Sequence, residues 1–305
     1  MNALTLRQLR YALALARAGH FGHAAELCAV TQPALSMQIR ELEGALGVAI
    51  FDRSARRVRL TGFGTEFVAR AAEILRAVDD LGDLARAADA RLAGRVRLGV
   101  IPTVAPYLLP RLVAGLQRSH PDLELHLRES LTQRLLEELR EGRIDAAILA
   151  LPVPEQGLSE VVLASEAFVL VRPASEAGQP VPDGEALREM RLLLLEEGHC
   201  FRDQAISFCG GAAGRPRELL DASALGTLVQ MVAAGIGVTL LPEMALEVET
   251  RAAAVSLARF PDPAPRRRIG MVWRAASPLA PHLRTLAGIA GAALAPGGDH
   301  DQRSS

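Results

Sequence analysis

The sequence predicts an α/β protein carrying a separate all-α head, on three observations. From Arg95 onward, short apolar runs alternate with helix-patterned stretches: RVRLGVI, a helical segment from Val104, LELHLRE, a helix through Leu131 to Arg140, then DAAILAL. That βαβαβ order belongs to a sheet with helical crossovers. Before Leu60 the spacing is helical except for one short basic hairpin, and a long helix pattern from Gly62 to Leu92 separates the two regions.

Half of the 305 residues are hydrophobic, enough for two or three compact units each with its own core. The formal net charge is only -1, so no chain-wide field attracts polyanions and any such affinity must be local. There is no lysine, and with all 34 basic residues arginine, an arginine cluster carries less weight than it otherwise would. Met1 to Leu15 lacks the marks of a secretory signal and no run reaches 18 apolar residues, which places the protein in the cytoplasm. Cys28, Cys200 and Cys209 are too few and too scattered for a disulfide framework, so a bridge here would be conditional. Pro296 to Ser305 has no apolar anchor and reads as a frayed tail.

Within the head, TQPALSMQIRELEGALG reads as a helix with Thr31 as N-cap, Pro33 in its first turn and Gly47 ending it. Leu35, Ile39, Leu42 and Leu46 turn one face into a core, leaving Gln32, Pro33, Ser36, Met37 and Arg40 near the exposed face. Leu6, Leu9, Leu13 and Ala16 mark a first helix, and Phe21 to Leu27 a short second one before a turn at Cys28 to Val30. Two short helices around a tight turn make a helix-turn-helix whose exposed face suits a DNA major groove, although a plain three-helix core has the same pattern. The next segment, DRSARRVRLTGFG, reads as a short hairpin carrying Arg53, Arg56, Arg57 and Arg59, and residues 1 to 64 hold eight Arg against four acidic residues, a local +4. A basic wing of that kind holds phosphates while the helix reads bases, which assigns Arg53, Arg56 and Arg57 to the backbone and Gln32, Pro33, Ser36 and Arg40 to the groove.

Beyond the wing, Phe67, Ala71, Ile74, Val78, Leu81, Ala85, Ala88 and Leu92 recur at alternating intervals of four and three. Such a heptad seam either packs on its own domain or pairs with a second copy, and its length favours pairing through Phe67, Ile74, Val78 and Leu81. A dimer matches double-stranded DNA sites with two half-sites. The expected organisation is a DNA-binding domain at 1–61, a linker helix at 62–92, an effector domain at 93–295 and a tail at 296–305.

Further strand candidates at Phe168 to Val171, Leu192 to Leu195, VTLLP and RIGMVW imply a second α/β subdomain. Thr103 follows the first strand, where ligands of open α/β sheets sit, but its position also suits capping of the next helix. The segment EEGHCFRDQAISFCGGAAG sets Cys200 between His199 and Arg202, with Cys209 nine residues on. Nearby donors or cations activate a thiol, and a thiolate attacks peroxide to give a sulfenic acid that a second thiol converts to a disulfide. Free cysteines are also common buried small hydrophobes, and the spacing alone leaves that reading open. A metal site is disfavoured because short CxxC pairs are absent, and no cofactor is expected.

The stretch FGHAAELCAVTQPALSMQIRELEGALGVAIFDRSARRVRLTGFG resembles the LysR-type transcription regulators. That resemblance implies a winged helix-turn-helix, a dimerising linker helix, an effector domain of two α/β subdomains similar to periplasmic binding proteins, and assembly to a tetramer. GHCFRDQAISFC together with GVIPTVAPYLLP is similar to peroxide-sensing members of the group. The similarity implies that Cys200 reacts with hydrogen peroxide, that Cys209 resolves it, and that Thr103, Thr132, His199 and Arg267 bind or polarise the peroxide. The expected outcome is altered promoter contact or RNA polymerase recruitment. A LysR-type regulator with a small-molecule inducer in its cleft is the alternative, and a turnover thiol peroxidase is disfavoured by the helix-turn-helix.

Overall fold

A computed structural model of the chain describes residues 4–53, 57–87, 91–208 and 218–295. It divides into two compact units, residues 1–85 and 86–305.

The first unit opens with α1 (Leu6–Ala18), whose N-cap Thr5 and Gln8 form a reciprocal capping box. There follow α2 (Phe21–Leu27) and α3 (Gln32–Leu46), the latter capped by Thr31 and ended by Gly47 in the left-handed region. Strands β1 (Phe51–Asp52) and β2 (Arg59–Leu60) pair antiparallel as the wing. Helix α4 (Gly62–Ala87) starts where the Thr61 hydroxyl accepts the Gly64 N–H. Leu15, Leu35, Ile39, Leu42 and Ile50 are fully buried at the centre. The face of α1 differs from expectation: Tyr11, Ala12 and Leu15 are buried while Leu6 is exposed. Tyr11, Ala12 and Leu15 pack in the core shared with α2 and α3, and Leu9 and Leu13 pack with Ala71 and Leu75 of α4, so α1 is covered on two sides and its apolar positions do not form one stripe.

The second unit begins with β3 (Gly94–Val100), α5 (Ala105–Ser119), β4 (Leu123–Glu129), α6 (Thr132–Arg140) and β5 (Ala146–Leu151). The long β6 (Leu158–Pro173) leads to α7 (Gly184–Glu189), β7 (Arg191–Leu195), α8 (Cys200–Phe208), β8 (Glu218–Ala222), α9 (Leu225–Ala233) and β9 (Thr239–Pro242). The chain ends in α10 (Leu246–Glu249), β10 (Val255–Arg259), β11 (Arg266–Arg274) and α11 (Ala280–Leu294). Strand β3 pairs parallel with β4 and β5, the connections crossing over through α5 and α6.

β6 joins two subdomains. Its first part pairs with β11, which also pairs with β5, and its second part pairs with β9 and β10. The parallel pair β7 and β8 joins the second sheet through a bridge from Leu192 to Val238. Each subdomain has its own core, one centred on Leu98, Leu108, Ile148 and Trp273, the other on Leu170, Leu193, Phe201 and Leu241. Leu92, expected on the linker helix, is buried in the first of these cores, and the described part of α4 ends at Ala87. Among the described residues, no helix is long and apolar enough to cross a membrane.

Candidate functional site

The site begins at the ends of β3 and β7. After β3 the chain turns through Ile101, Pro102 and Thr103 before α5, and after β7 it turns through Gly198 and His199 into α8, whose first residue is Cys200. Gly198 has φ +96°, a backbone conformation that calls for glycine, and a Cβ there would lie 3.0 Å from Leu131 Cδ1. Thr132 is the first residue of α6. These turns converge: Ile101, Pro102, Thr103, Leu131, Thr132, Gly198, His199 and Cys200 line one pocket of about 160 Å³, drawn in so closely that a water-sized sphere does not fit between its walls.

Thr103 does not cap α5, whose N-cap is Val104. Its hydroxyl and carbonyl oxygens instead accept from Arg267 Nη1 at 2.9 Å and Nη2 at 3.0 Å. Arg267 comes from β11, its side chain is fully enclosed, and its Nε donates to Glu166 Oε1 at 2.7 Å. The guanidinium also lies 5.5 Å from the centroid of the Phe201 ring, a cation–π contact with the residue that follows Cys200. The Thr132 hydroxyl oxygen is buried with no hydrogen-bond partner.

Burial pushes the His199 imidazole below its ordinary pKa, with Glu196 opposing the shift. The shift favours the neutral imidazole over the cation. Arg202, expected beside the thiol, is engaged elsewhere: its Nη1 donates to the Leu195 carbonyl at 2.7 Å and to Asp221. Cys200 is a free, half-buried thiol packed against the first core. Because it is the first residue of α8, it sits at the helix end that favours negative charge. Cys209 lies outside the described residues.

Sequence reading missed several neighbours. Gln204, one turn beyond Cys200, has a buried amide oxygen without a partner. Glu166 and Phe201 frame Arg267, and Tyr107 of α5 donates to Glu249 of α10 at 2.7 Å, linking the two subdomains. Burial, that hydrogen bond and the Glu249 charge push the Tyr107 phenol well above its ordinary pKa. The period of β6 could not reveal Glu166, because its partner lies 101 residues further on.

In the first unit Gln32, Pro33, Met37 and Arg40 are exposed on α3 and Ser36 is half-buried beside them. Arg57 is exposed, and Arg56 lies outside the described residues. Arg53, expected on the DNA backbone, also has partners within the head: Nη2 pairs with Glu43 at 2.6 Å, and the guanidinium lies over Phe21. Glu43 also accepts the Ile50 and Phe51 N–H groups, so this pair ties the wing to α3. On α4, Ile74 and Leu81 are exposed and Val78 is half-buried, whereas Phe67 packs with Leu9, Leu13, Ala71 and Leu75 of its own chain. Cys28 packs in the core of the head, and burial raises its thiol pKa. Among the described residues, no group of three or more His, Cys, Asp or Glu could hold a metal ion.

Comparison with known proteins agrees with both halves. Residues 6–65 match the bacterial regulatory helix-turn-helix protein, lysR family, and residues 89–295 match the LysR substrate binding domain. The chain is 43% identical to a probable hydrogen peroxide-inducible genes activator of Streptomyces viridosporus, covering 93% of this chain and 92% of the relative. It is 40% identical to the DNA-binding transcriptional dual regulator OxyR of Escherichia coli, covering 93% and 94%. Among solved structures, a full-length cysteine-to-aspartate variant of Pseudomonas aeruginosa OxyR superposes with a TM-score of 0.75 at 38% identity, covering 95% of each chain. A cysteine variant of Corynebacterium glutamicum OxyR with hydrogen peroxide bound gives 0.66 at 36% identity, covering 95% of this chain and 92% of that one. The chain thus belongs to the LysR family of helix-turn-helix transcription regulators, within its OxyR group of hydrogen peroxide-inducible gene activators.

Proposed function

We propose that this protein senses hydrogen peroxide through Cys200 and converts its oxidation into altered promoter control. The observation that carries the reading is the single pocket shared by Thr103, Thr132, His199 and Cys200, with Arg267 bonded behind Thr103 and the Thr132 hydroxyl unpartnered. The Cys200 thiolate attacks one peroxide oxygen, forming the S–O bond and breaking the O–O bond, and the other oxygen leaves as hydroxide. The Cys209 thiol then attacks the sulfenic sulfur, water leaves, and a disulfide forms.

The helix couples this chemistry to shape. Eight residue steps of α8 put Phe208 about 12 Å from Cys200 along the axis, whereas a disulfide needs Cα atoms within roughly 7 Å. The next Cα is only about 3.8 Å further along the chain, so bridging requires α8 to unwind. Unwinding pulls Phe201 out of the second core and off Arg267, which is how a local covalent event becomes a change between subdomains. Peroxide enters only if the pocket walls draw apart.

Output runs through the head. α3 presents Gln32, Pro33, Ser36 and Arg40 to base edges of double-stranded DNA, with Arg57 and Arg56 on phosphates and Arg53 holding the wing in register. The exposed Ile74 and Leu81, with Val78, pair with a second copy, and two dimers make a tetramer that recruits RNA polymerase in the cytoplasm. No cofactor is needed. The test is DNA footprinting of the full-length protein with and without peroxide. The wild type changes its footprint and Cys200→Ser does not, whereas a Cys200→Ser protein that still responds fully contradicts the sensor.

A further inference from the structure

We infer that Glu166 is a positioning residue for the peroxide reaction, acting on the pocket through Arg267 and Thr103; this rests on Cys200 being the reacting thiol. Glu166 is buried near the point where β6 passes from one subdomain to the other, and both its oxygens are engaged. Oε1 accepts from Arg267 Nε at 2.7 Å and Oε2 accepts from the Met244 N–H at 2.9 Å. The carboxylate is thereby fixed between β11 and the segment after β9. Arg267 is enclosed completely, and a buried guanidinium is tolerated only with a counter-charge, so the pair holds Arg267 in one place.

The direction of the hydrogen bonds gives this arrangement its chemistry. Arginine has donors and no acceptor, so in the Arg267 to Thr103 contact the Thr103 hydroxyl oxygen accepts. Its own proton is left to donate into the pocket. With Arg267 Nε held by Glu166, Nη1 and Nη2 both face Thr103, and the hydroxyl cannot reverse its role. When the Cys200 sulfur takes one peroxide oxygen, sulfur is oxidised, the O–O bond is reduced and the departing oxygen becomes hydroxide. Negative charge grows on that oxygen, and a Thr103 donor backed by a fixed guanidinium stabilises it in the transition state. Glu166 touches no reacting atom; it fixes the orientation of the donor that does.

The test compares two reactions of Cys200 in the full-length protein under anaerobic conditions: oxidation by hydrogen peroxide and alkylation by iodoacetamide. Alkylation needs the thiolate but not the donor for a leaving hydroxide. Glu166→Gln removes the charge and can satisfy only one of the two bonds. It is expected to slow oxidation roughly 10- to 100-fold, the scale of a misplaced reacting group, and to leave alkylation within about twofold. Combined with Thr103→Val it is expected to cost nothing beyond Thr103→Val alone, since both act through one hydroxyl. Oxidation at the wild-type rate, equal losses in both reactions, or additive losses in the double variant would each overturn the inference. If Glu166→Gln does not fold, Glu166→Asp, which shortens the reach but keeps the charge, is judged by the same two rates and the same cycle. A wild-type Cys200 inert to peroxide would instead remove the sensor reading itself.

Discussion

Arg267 donates to Thr103 twice, to the hydroxyl at 2.9 Å and to the carbonyl at 3.0 Å, although 164 residues separate them. The contact joins β11 to the loop after β3 and fixes one wall of the Cys200 pocket. Thr103→Val keeps the shape and removes the hydroxyl, leaving Arg267 Nη1 buried without its acceptor. The expected loss is about 1–3 kcal/mol of stability in chemical denaturation, together with slower oxidation of Cys200. Unchanged stability would mean that Nη1 finds another partner at no cost.

His199 makes stability depend on pH. Its pKa is lowered on folding, chiefly by burial, so below about pH 6.5 the unfolded chain binds a proton that the folded chain resists. The contribution is fully present above that pH and is lost as pH falls from about 6.5 toward the folded value. Wild-type protein should therefore lose more stability than His199→Gln between pH 7.5 and pH 5.5. Parallel curves for the two proteins would remove the assignment.

The turn of the head contains Ala29 at φ 52°, a left-handed conformation that L residues with a Cβ adopt at a cost. Ala29→Gly should stabilise the full-length protein by about 0.5 to 1 kcal/mol, the gain being offset in part by the freer unfolded chain. A destabilised variant in thermal or denaturant unfolding would contradict that strain.

Ile74 and Leu81 stand exposed at 48% and 65% on α4, one heptad apart. Introducing Asp at both should convert dimers to monomers in analytical ultracentrifugation and sharply weaken binding to two-half-site DNA, with each head still folded. A dimer of undiminished affinity would place the pairing surface elsewhere.

Legibility followed periodicity. Phe21 to Leu27 and the buried face of α3 were readable because each has one apolar stripe on one helix. The face of α1 was not, because two sets of neighbours bury different sides of it. In β6 only Phe168 to Val171 was evident as strand; before it, Leu158 to Ala167 mixes Ser, Glu and apolar residues along a half-buried run. At the site, residue patterns alone left Thr103 open between helix cap and ligand wall and the cysteines open between packing and redox chemistry, and family resemblance supplied their grouping. Glu166 and its hold on Arg267 had no local signal, since the pairing is set by the register of β6 against β11.

The central claim is tested most directly by mass spectrometry of thiol state after one equivalent of hydrogen peroxide under anaerobic conditions. The account predicts rapid formation of a peptide in which Cys200 and Cys209 of one chain are linked, with Cys28 left reduced. Cys200 and Cys209 both remaining as thiols would contradict it, leaving a DNA-binding LysR-family regulator whose signal is not peroxide.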